Sequence, residues 1–321
     1  MATSGSVDFS VTRDDIIQDA LENLGIVLPG ATPVAAHVTA AARKLNMIVK
    51  QWQGTADFAP GLKMWSRKRA YLFLAKGGST YTLGPTATET GTSNKWSSSY
   101  VRTTLSVSAA NGASAVTITT TTGFASGNRI GIVLDSGSIF WTTVSGSLTG
   151  NSVPLTSVTT GAAASGNTVF CYATTNQGRR PLSILTAVRR NTDSTDSEMY
   201  PMSLQEYEAI SDKGADGTPG RYYYQADLTD GSLYLDSDPV ISTDVMRITF
   251  LSPPEDFDAS TDNPDFPQQW YRPLSWQLTI ELAPSYGRPV SPEMKLSRDE
   301  ALAIARNTNP ETSDLSFQPN A

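Results

Sequence analysis

The stretch from Phe266 to Arg288, FPQQWYRPLSWQLTIELAPSYGR, constrains the chain more than any other. Trp270, Leu274, Leu278 and Leu282 recur at every fourth position, so on a helix they form one stripe of large apolar side chains that needs a partner surface from elsewhere in the chain. Pro267 sits where a first-turn proline costs no hydrogen bond. Pro284 and Gly287 mark the exit, and a helix of about four turns fits between them. Pro273 predicts either a late start to the regular helix or a kink. The four residues of the stripe are read as a core helix, with burial as the first explanation of each.

The N-terminal region offers a partner surface. Thr12 precedes Asp14 and Asp15 and the apolar series Ile16, Ile17, Ala20, Leu21 and Leu24, which predicts a capped amphipathic helix ended by Gly25. The two acids suit the positive end of the helix dipole and, as neighbours in sequence, do not face each other as a catalytic pair would. Thr32 as N-cap with Pro33 at the first position predicts a second helix running to Gly54. Its stripe is Val34, Val38, Ala41, Leu45, Ile48 and Trp52, and the two helices form a hairpin. His37 lies beside that stripe with no second ligand or nucleophile nearby, which makes it a structural or surface residue.

Beyond Gly54 the period shortens. Leu62 to Trp65, Ala70 to Leu74 and Tyr81 to Leu83 read as short strands. Between the first two lies Arg67-Lys68-Arg69, the densest basic run, which reads first as a solvated loop or strand edge and second as a contact for DNA or an acidic partner. From Thr86 to about Ala173 the composition turns to Ser, Thr, Gly and Ala. Ala115–Thr119, Arg129–Leu134, Ile139–Val144 and Thr168–Tyr172 are β-rich runs separated by turns carrying Gly112, Gly127, Gly137, Gly150 and Gly166. This predicts a small all-β module, a sandwich or a barrel, in which Cys171 is a buried inert thiol.

After Arg179-Arg180-Pro181 a mixed pattern returns: a strand over Leu182–Val188, a capping box Ser203–Glu206 opening a short helix, then strands over Arg221–Gln225, Ser232–Leu235 and Val245–Leu251. The predicted fold class is therefore α+β: an N-terminal helical hairpin and a C-terminal core helix with a mixed sheet, an inserted small all-β domain, and an extended C-terminal arm. The expected boundaries are 1–90 and 176–290 for the core, 91–175 for the inserted domain and 291–321 for a C-terminal helix and arm. A capping-box pattern at Ser297–Glu300 predicts the start of that last helix. The arm carries Leu302 and Ile304 and then, in a polar segment, Leu315 and Phe317 at strand spacing.

Composition limits the chemistry. The chain has 321 residues, enough for about two domains, and no apolar run approaches the roughly 20 residues that cross a bilayer. Its first residues lack the basic and apolar regions of a secretory signal, from which cytosolic synthesis and no membrane partner are expected. A single cysteine and a single histidine exclude an internal disulfide framework and most zinc designs. A net charge of −7 argues against a general nucleic-acid binder, although an acidic wall suits a conduit that lets DNA slide past. The glycines of Gly214–Gly220 lack the lysine and hydroxyl of a phosphate loop, and no G-x-S-x-G motif is present. The enzymatic option left is a carboxylate pair for glycoside hydrolysis drawn from Glu198, Glu206, Asp227, Asp236 or Glu255. No catalytic, cofactor-binding or metal-ligating residue is assigned.

The segments TRDDIIQDALENLGI, AARKLNMIVKQWQG, DGSLYLDSDP and PDFPQQWYRPLSWQLTIELAPSYG, in that order, resemble the head-to-tail adaptors of short-tailed bacteriophages, the tail-accessory or head-completion factors that stabilise packaged DNA. The resemblance covers roughly residues 12 to 85 and 176 to 290. It implies a virion protein of the neck and tail, assembled in the host cytoplasm, that forms a homo-oligomeric ring, a dodecamer, as a connector beneath the portal. Such a ring extends the channel for packaging and ejection of double-stranded DNA without sequence-specific binding. It also offers a platform for tail nozzle or tail-fibre proteins. It further implies that the arm from Ser297 to Ala321 binds the portal, with Leu302, Ile304, Leu315 and Phe317 as its contacts. The competing reading is a glycan-binding or adhesive β protein, motivated by Phe140 and Trp141 in the Ser/Thr-rich module.

Overall fold

The computed structural model describes Gly5 and residues 8–53, 66–84, 96–176 and 178–307. The chain is α+β, and its contacts divide it into two compact units: Met1–Ser66 with Pro253–Ala321, and Arg67–Ser252. The flanking strands thus group with the inserted module, whereas the sequence had joined them to the helices in a core of 1–90 and 176–290.

The first unit is helical. α1 (Arg13–Asn23) opens with the capping box expected of Thr12, whose hydroxyl accepts from the Asp15 amide while Asp15 accepts from the Thr12 amide. Gly25 follows at φ 66°. α2 (Ala35–Gln53) starts two residues later than Pro33 predicts, because the Val34 carbonyl accepts the first helical bonds, from His37 and Val38. Val34 is accordingly exposed, while Ala41, Leu45, Ile48 and Trp52 are buried.

Three further α-helices follow among the described residues. α3 (Leu204–Glu208), in the second unit, carries the predicted Ser203–Glu206 capping box. α4 (Tyr271–Leu282) is preceded by a 3-10 turn over Gln268–Trp270, so Pro273 falls in the first turn, where its missing N–H breaks nothing. A second 3-10 turn, Ala283–Tyr286, ends at Gly287 in the left-handed region. α5 (Pro292–Asn307) begins well before Ser297. Ser291 accepts from the Met294 amide and Pro292 takes the first position, so the capping-box pattern at Ser297 lies inside the helix.

α4 touches α1, α2 and α5, and Trp270, Leu274, Leu278 and Leu282 are all at most 3% exposed in one cluster with the apolar faces of α1 and α2. The Trp52 and Trp270 rings sit 5.7 Å apart. Polar straps fix the connecting chain. Lys50 reaches the Pro254 carbonyl and the Asp256 carboxylate, and the Asn46 side chain exchanges hydrogen bonds with the Phe257 backbone. Lys44 of α2 donates to the Glu281 carbonyl, placing a cation where the α4 dipole is negative.

The second unit holds the strands: β1 (Arg67–Phe73), β2 (Thr80–Leu83), β3 (Trp96–Ser97), β4 (Val101–Thr104), β5 (Ala115–Thr117), β6 (Arg129–Val133), β7 (Ile139–Thr143), β8 (Ser152–Pro154), β9 (Thr168–Tyr172), β10 (Ser183–Arg190), β11 (Asp196–Pro201), β12 (Asp216–Gly217), β13 (Arg221–Ala226), β14 (Gly231–Leu235), β15 (Asp238–Pro239) and β16 (Val245–Leu251). Eight form one sheet in the order β2-β14-β13-β11-β10-β16-β1-β3, while β12 and β15 make a separate parallel pair. The pairings in the sheet are antiparallel except β11 with β13.

Strand alternation splits β1 between two cores. Ala70 and Leu72 join one cluster with Met246, Ile248 and Phe250, whereas Tyr71 and Phe73 turn to the opposite face. The predicted strand at Leu62–Trp65 lies outside the described residues.

The inserted module is a nearly closed, barrel-like sheet. β4-β9-β6-β7 form a sheet, β5 pairs with β8, and bridges Val144–Leu155 and Leu105–Ile118 nearly close the ring. Ile130, Ile132, Val153, Val169 and Cys171 fill it. Phe73 explains why the module groups with the sheet: its ring lies within 5.8 Å of Tyr100, Trp141, Phe170 and Tyr172, so β1 and the barrel share a core.

Candidate functional site

Of the sequence-picked residues, the basic run has the most definite setting. Arg67, Lys68 and Arg69 do not lie in a loop. They form the exposed first half of β1, paired to Leu251, Phe250 and Thr249 of β16 on one side. On the other side, among the described residues, β3 pairs with β1 only at Tyr71 and Leu72, beyond the basic run. Lys68 and Arg69 line a cavity of about 230 Å³ together with Ala70, Ser98, Thr175, Gly178, Arg179, Phe250 and Ser252. Chain order alone does not bring Arg179 to this place. The sequence shows Arg179 only as part of a boundary, and the signal that it belongs here is the return of the chain along β3 and β10.

The expected arm residues separate. Leu302 is half-buried and packs on the helical core beside Ala305, whereas Ile304 is 62% exposed. Leu296, which the sequence reading passed over, is also exposed, and with Ala303 and Ile304 it follows the outward side of α5, opposite the buried Ala301 and Ala305. Leu315 and Phe317 lie outside the described residues. The stripe Trp270, Leu274, Leu278 and Leu282 is core, as derived above, and touches no site.

Four of the five carboxylates weighed for hydrolysis, Glu198, Glu206, Asp227 and Asp236, take part in local hydrogen bonds. Glu206 closes the α3 capping box, and its hydrogen bonds with Ser203 hold its carboxyl below the usual range. Glu198 accepts from the Tyr200 hydroxyl, Asp227 accepts from Gln225 and Ser232, and Asp236 accepts from the Gly220 amide and faces Arg221 at 3.5 Å. The Glu255 amide donates to Asp265. Among the described residues no cluster of histidine, cysteine or carboxylate has the geometry to hold a metal, and no helix is long and apolar enough to cross a membrane.

Charged pairs lie instead within the sheet, on both of its faces. Asp196 pairs with Arg190 at 2.7 Å and with Arg247 at 2.8 Å, and the Arg190 hydrogen bond holds its carboxyl below the ordinary range, with Arg247 adding to the effect. Asp244, almost fully buried, meets Arg189 at 2.7 Å. Arg102 donates to the carbonyls of Asn191 and Thr243 and lies over the Phe170 ring. These contacts latch neighbouring strands to one another, with the Arg102 and Arg189 Nε atoms left without a hydrogen-bond partner among the described residues.

The aromatic pair of the glycan reading is divided as well. Phe140 packs toward the barrel interior, while Trp141, half-buried, lies against Gly131, where any Cβ would meet the indole at 2.7 Å. Trp141 also lines a cavity of about 520 Å³ with Phe73, Lys76, Ser79, Thr80 and Ser138. Cys171 is buried and accepts weakly from Asn128, and burial pushes its thiol up to about 11, so it stays protonated and unreactive at neutral pH. His37 stands edge-on to Tyr286 at 5.1 Å.

No protein-family model and no characterised protein sequence matches the chain.

Proposed function

We propose that the chain is a head-to-tail adaptor of a short-tailed bacteriophage, a structural protein that assembles as a ring beneath the portal, continues the DNA channel and carries tail components. The observation that bears most on this reading is α5. It packs one side on the core helix and presents Leu296, Ala303 and Ile304 on the other, at 59% exposure for Leu296 and 62% for Ile304. Large aliphatic side chains held outward on an ordered helix lose free energy in water and gain it under a neighbour, which suits a subunit contact or a portal contact repeated around a ring. In this reading the arm binds through Ile304 and the segment carrying Leu315 and Phe317, while Leu302 anchors the arm's root.

Electron microscopy of the purified full-length chain with and without the portal of the same phage tests the proposal. Rings that form or sharpen on the portal are expected, and a Leu296→Asp/Ile304→Asp double variant should stay folded and lose them. A wild-type protein that remains monomeric beside its portal overturns the adaptor reading.

The Trp141 cavity favours one alternative. An aromatic face with hydroxyls around it suits a sugar ring, and glycan binding by the full chain that Trp141→Ala removes would favour the adhesive reading.

A further inference from the structure

The groove between α1 and α4 carries an arrangement that the adaptor reading does not use. Asp19 and Glu22 stand three apart on α1, and Tyr271, Arg272, Ser275 and Trp276 follow the three-and-four spacing of one face of α4, so the two stripes line one cavity of about 470 Å³. That volume is in the range of small-molecule sites. The stripes differ in sign: α1 supplies acids and α4 an arginine. Among the described residues, the Asp19 and Arg272 side chains form no ion pair with each other and no hydrogen bond to a third group. Opposite charges that line one cavity without meeting are complementary to a molecule that carries both signs.

A second observation lies in the wall itself. Ser275 lines the cavity although it is only 8% exposed, and its hydroxyl has no hydrogen-bond partner among the described residues. The Thr279 hydroxyl bonds to the Ser275 carbonyl and leaves that hydroxyl unused. A secluded hydroxyl without a partner is a cost that a bound polar group removes. Asp19 bears a cost of the same kind. Burial first, and then Glu22 and Asp15, push its carboxyl up, so its charged form waits for a cation. The remaining wall is aromatic. Phe9, 65% exposed, lies 6.4 Å from the Tyr271 ring, and Trp276 is half-buried beside them. Such faces take both an apolar body and a cation.

We propose that this groove binds a small zwitterion of the amino-acid class with an apolar side chain: its ammonium group meets the carboxylates of α1, its carboxylate meets Arg272, and its side chain packs on Phe9, Tyr271 and Trp276. A ligand with only an ammonium group leaves Arg272 facing a like charge. One with only a carboxylate adds to the repulsion at Asp19. The Ser275 hydroxyl supplies a neutral hydrogen bond to either end. The groove belongs to one copy of the chain, so it stands or falls separately from ring formation.

The test titrates the full-length chain at pH 7 with three probes of one shape, following tryptophan emission: phenylalanine, which carries both charges, phenethylamine, which carries the ammonium alone, and 3-phenylpropanoate, which carries the carboxylate alone. Asp19→Asn and Arg272→Gln are the test variants. Both residues are exposed, and circular dichroism establishes the fold of each variant. Arg43→Gln, an exposed cation on α2, is the control. Saturable binding of phenylalanine is expected, with each single-charge probe weaker by about tenfold or more. Asp19→Asn should weaken phenylalanine by a similar factor without weakening 3-phenylpropanoate. Arg272→Gln should weaken phenylalanine without weakening phenethylamine, and the control should bind like the wild type. A wild-type chain that does not answer to phenylalanine overturns the site. So does a single-charge probe that binds as tightly as phenylalanine, or a pair of test variants that bind it like the wild type.

Discussion

The helical unit gathers its large apolar side chains into one cluster around α4, whereas the β unit spreads them over separate clusters on the two faces of its sheet and inside its barrel. In the helical unit, polar groups act at the margins: Thr12 caps α1, and Lys44, Asn46 and Lys50 strap chain segments to α2. In the β unit they tie strands together: Asp196 pairs with Arg190 and Arg247, and the buried Asp244 pairs with Arg189. A unit built on one apolar seam tolerates loss at its polar margin but not at the seam. A unit built on several cores also depends on the groups between them.

The sharpest way to break this comparison is to remove one ring from each unit. Trp270→Ala and Phe73→Ala should each destabilise by about 3–5 kcal/mol, since each deletes a buried aromatic at a point where elements meet. Hydrogen exchange distinguishes them. Trp270→Ala should expose amides of α1, α2 and α4, while Phe73→Ala should expose those of β1, β9 and β16. A Trp270→Ala protein with the wild-type melting temperature would remove the core helix from the centre of its unit.

What the sequence made legible follows the same divide. A helical stripe is a local signal, so Trp270 to Leu282, the Thr12 cap and the Ser203 box could be read from spacing alone. Strands with clear alternation, such as Val245–Leu251, could also be read, and β16 has those bounds. β11 could not, because DSEMYP is polar and exposed and is held by Arg190 and Arg247 from other strands. The grouping of barrel with sheet was hidden for a related reason. Phe73 looks like one more apolar residue of a strand until Trp141, Phe170 and Tyr172 arrive from far along the chain.

A middle-sized effect sharpens the role of paired charge. Asp196→Asn keeps shape and removes the charge that Arg190 and Arg247 share, and should cost about 1 kcal/mol once its partial exposure is allowed for. Acid should act in the same direction. Because the folded carboxyl titrates below its ordinary value, its contribution is complete above about pH 4 and is lost as the pH falls through the lowered value. Urea melts of the wild type should therefore lose part of their midpoint below that pH, and Asp196→Asn should lose less. Equal losses in the two proteins would remove Asp196 from the latch.

The smallest effect runs the other way, in the helical unit. Asp19 on α1 borders a cavity shared with Glu22, Tyr271, Arg272 and Trp276, and its carboxyl is pushed up, first by burial and then by the charges of Glu22 and Asp15. A raised carboxyl favours the folded state most when protonated. Its contribution is therefore present below the ordinary carboxylate value and is lost as the pH rises through the raised folded one. At neutral pH Asp19 is a mild burden on the unit, and because its side chain is substantially exposed the burden is small. Asp19→Asn should raise stability at pH 7 by about 0.5 kcal/mol or less and make no difference near pH 3. A variant less stable than the wild type at pH 7 would mean that Arg272 or another cation holds the carboxylate more strongly than its acidic neighbours repel it. The margin of the helical unit would then resemble the paired interior of the β unit.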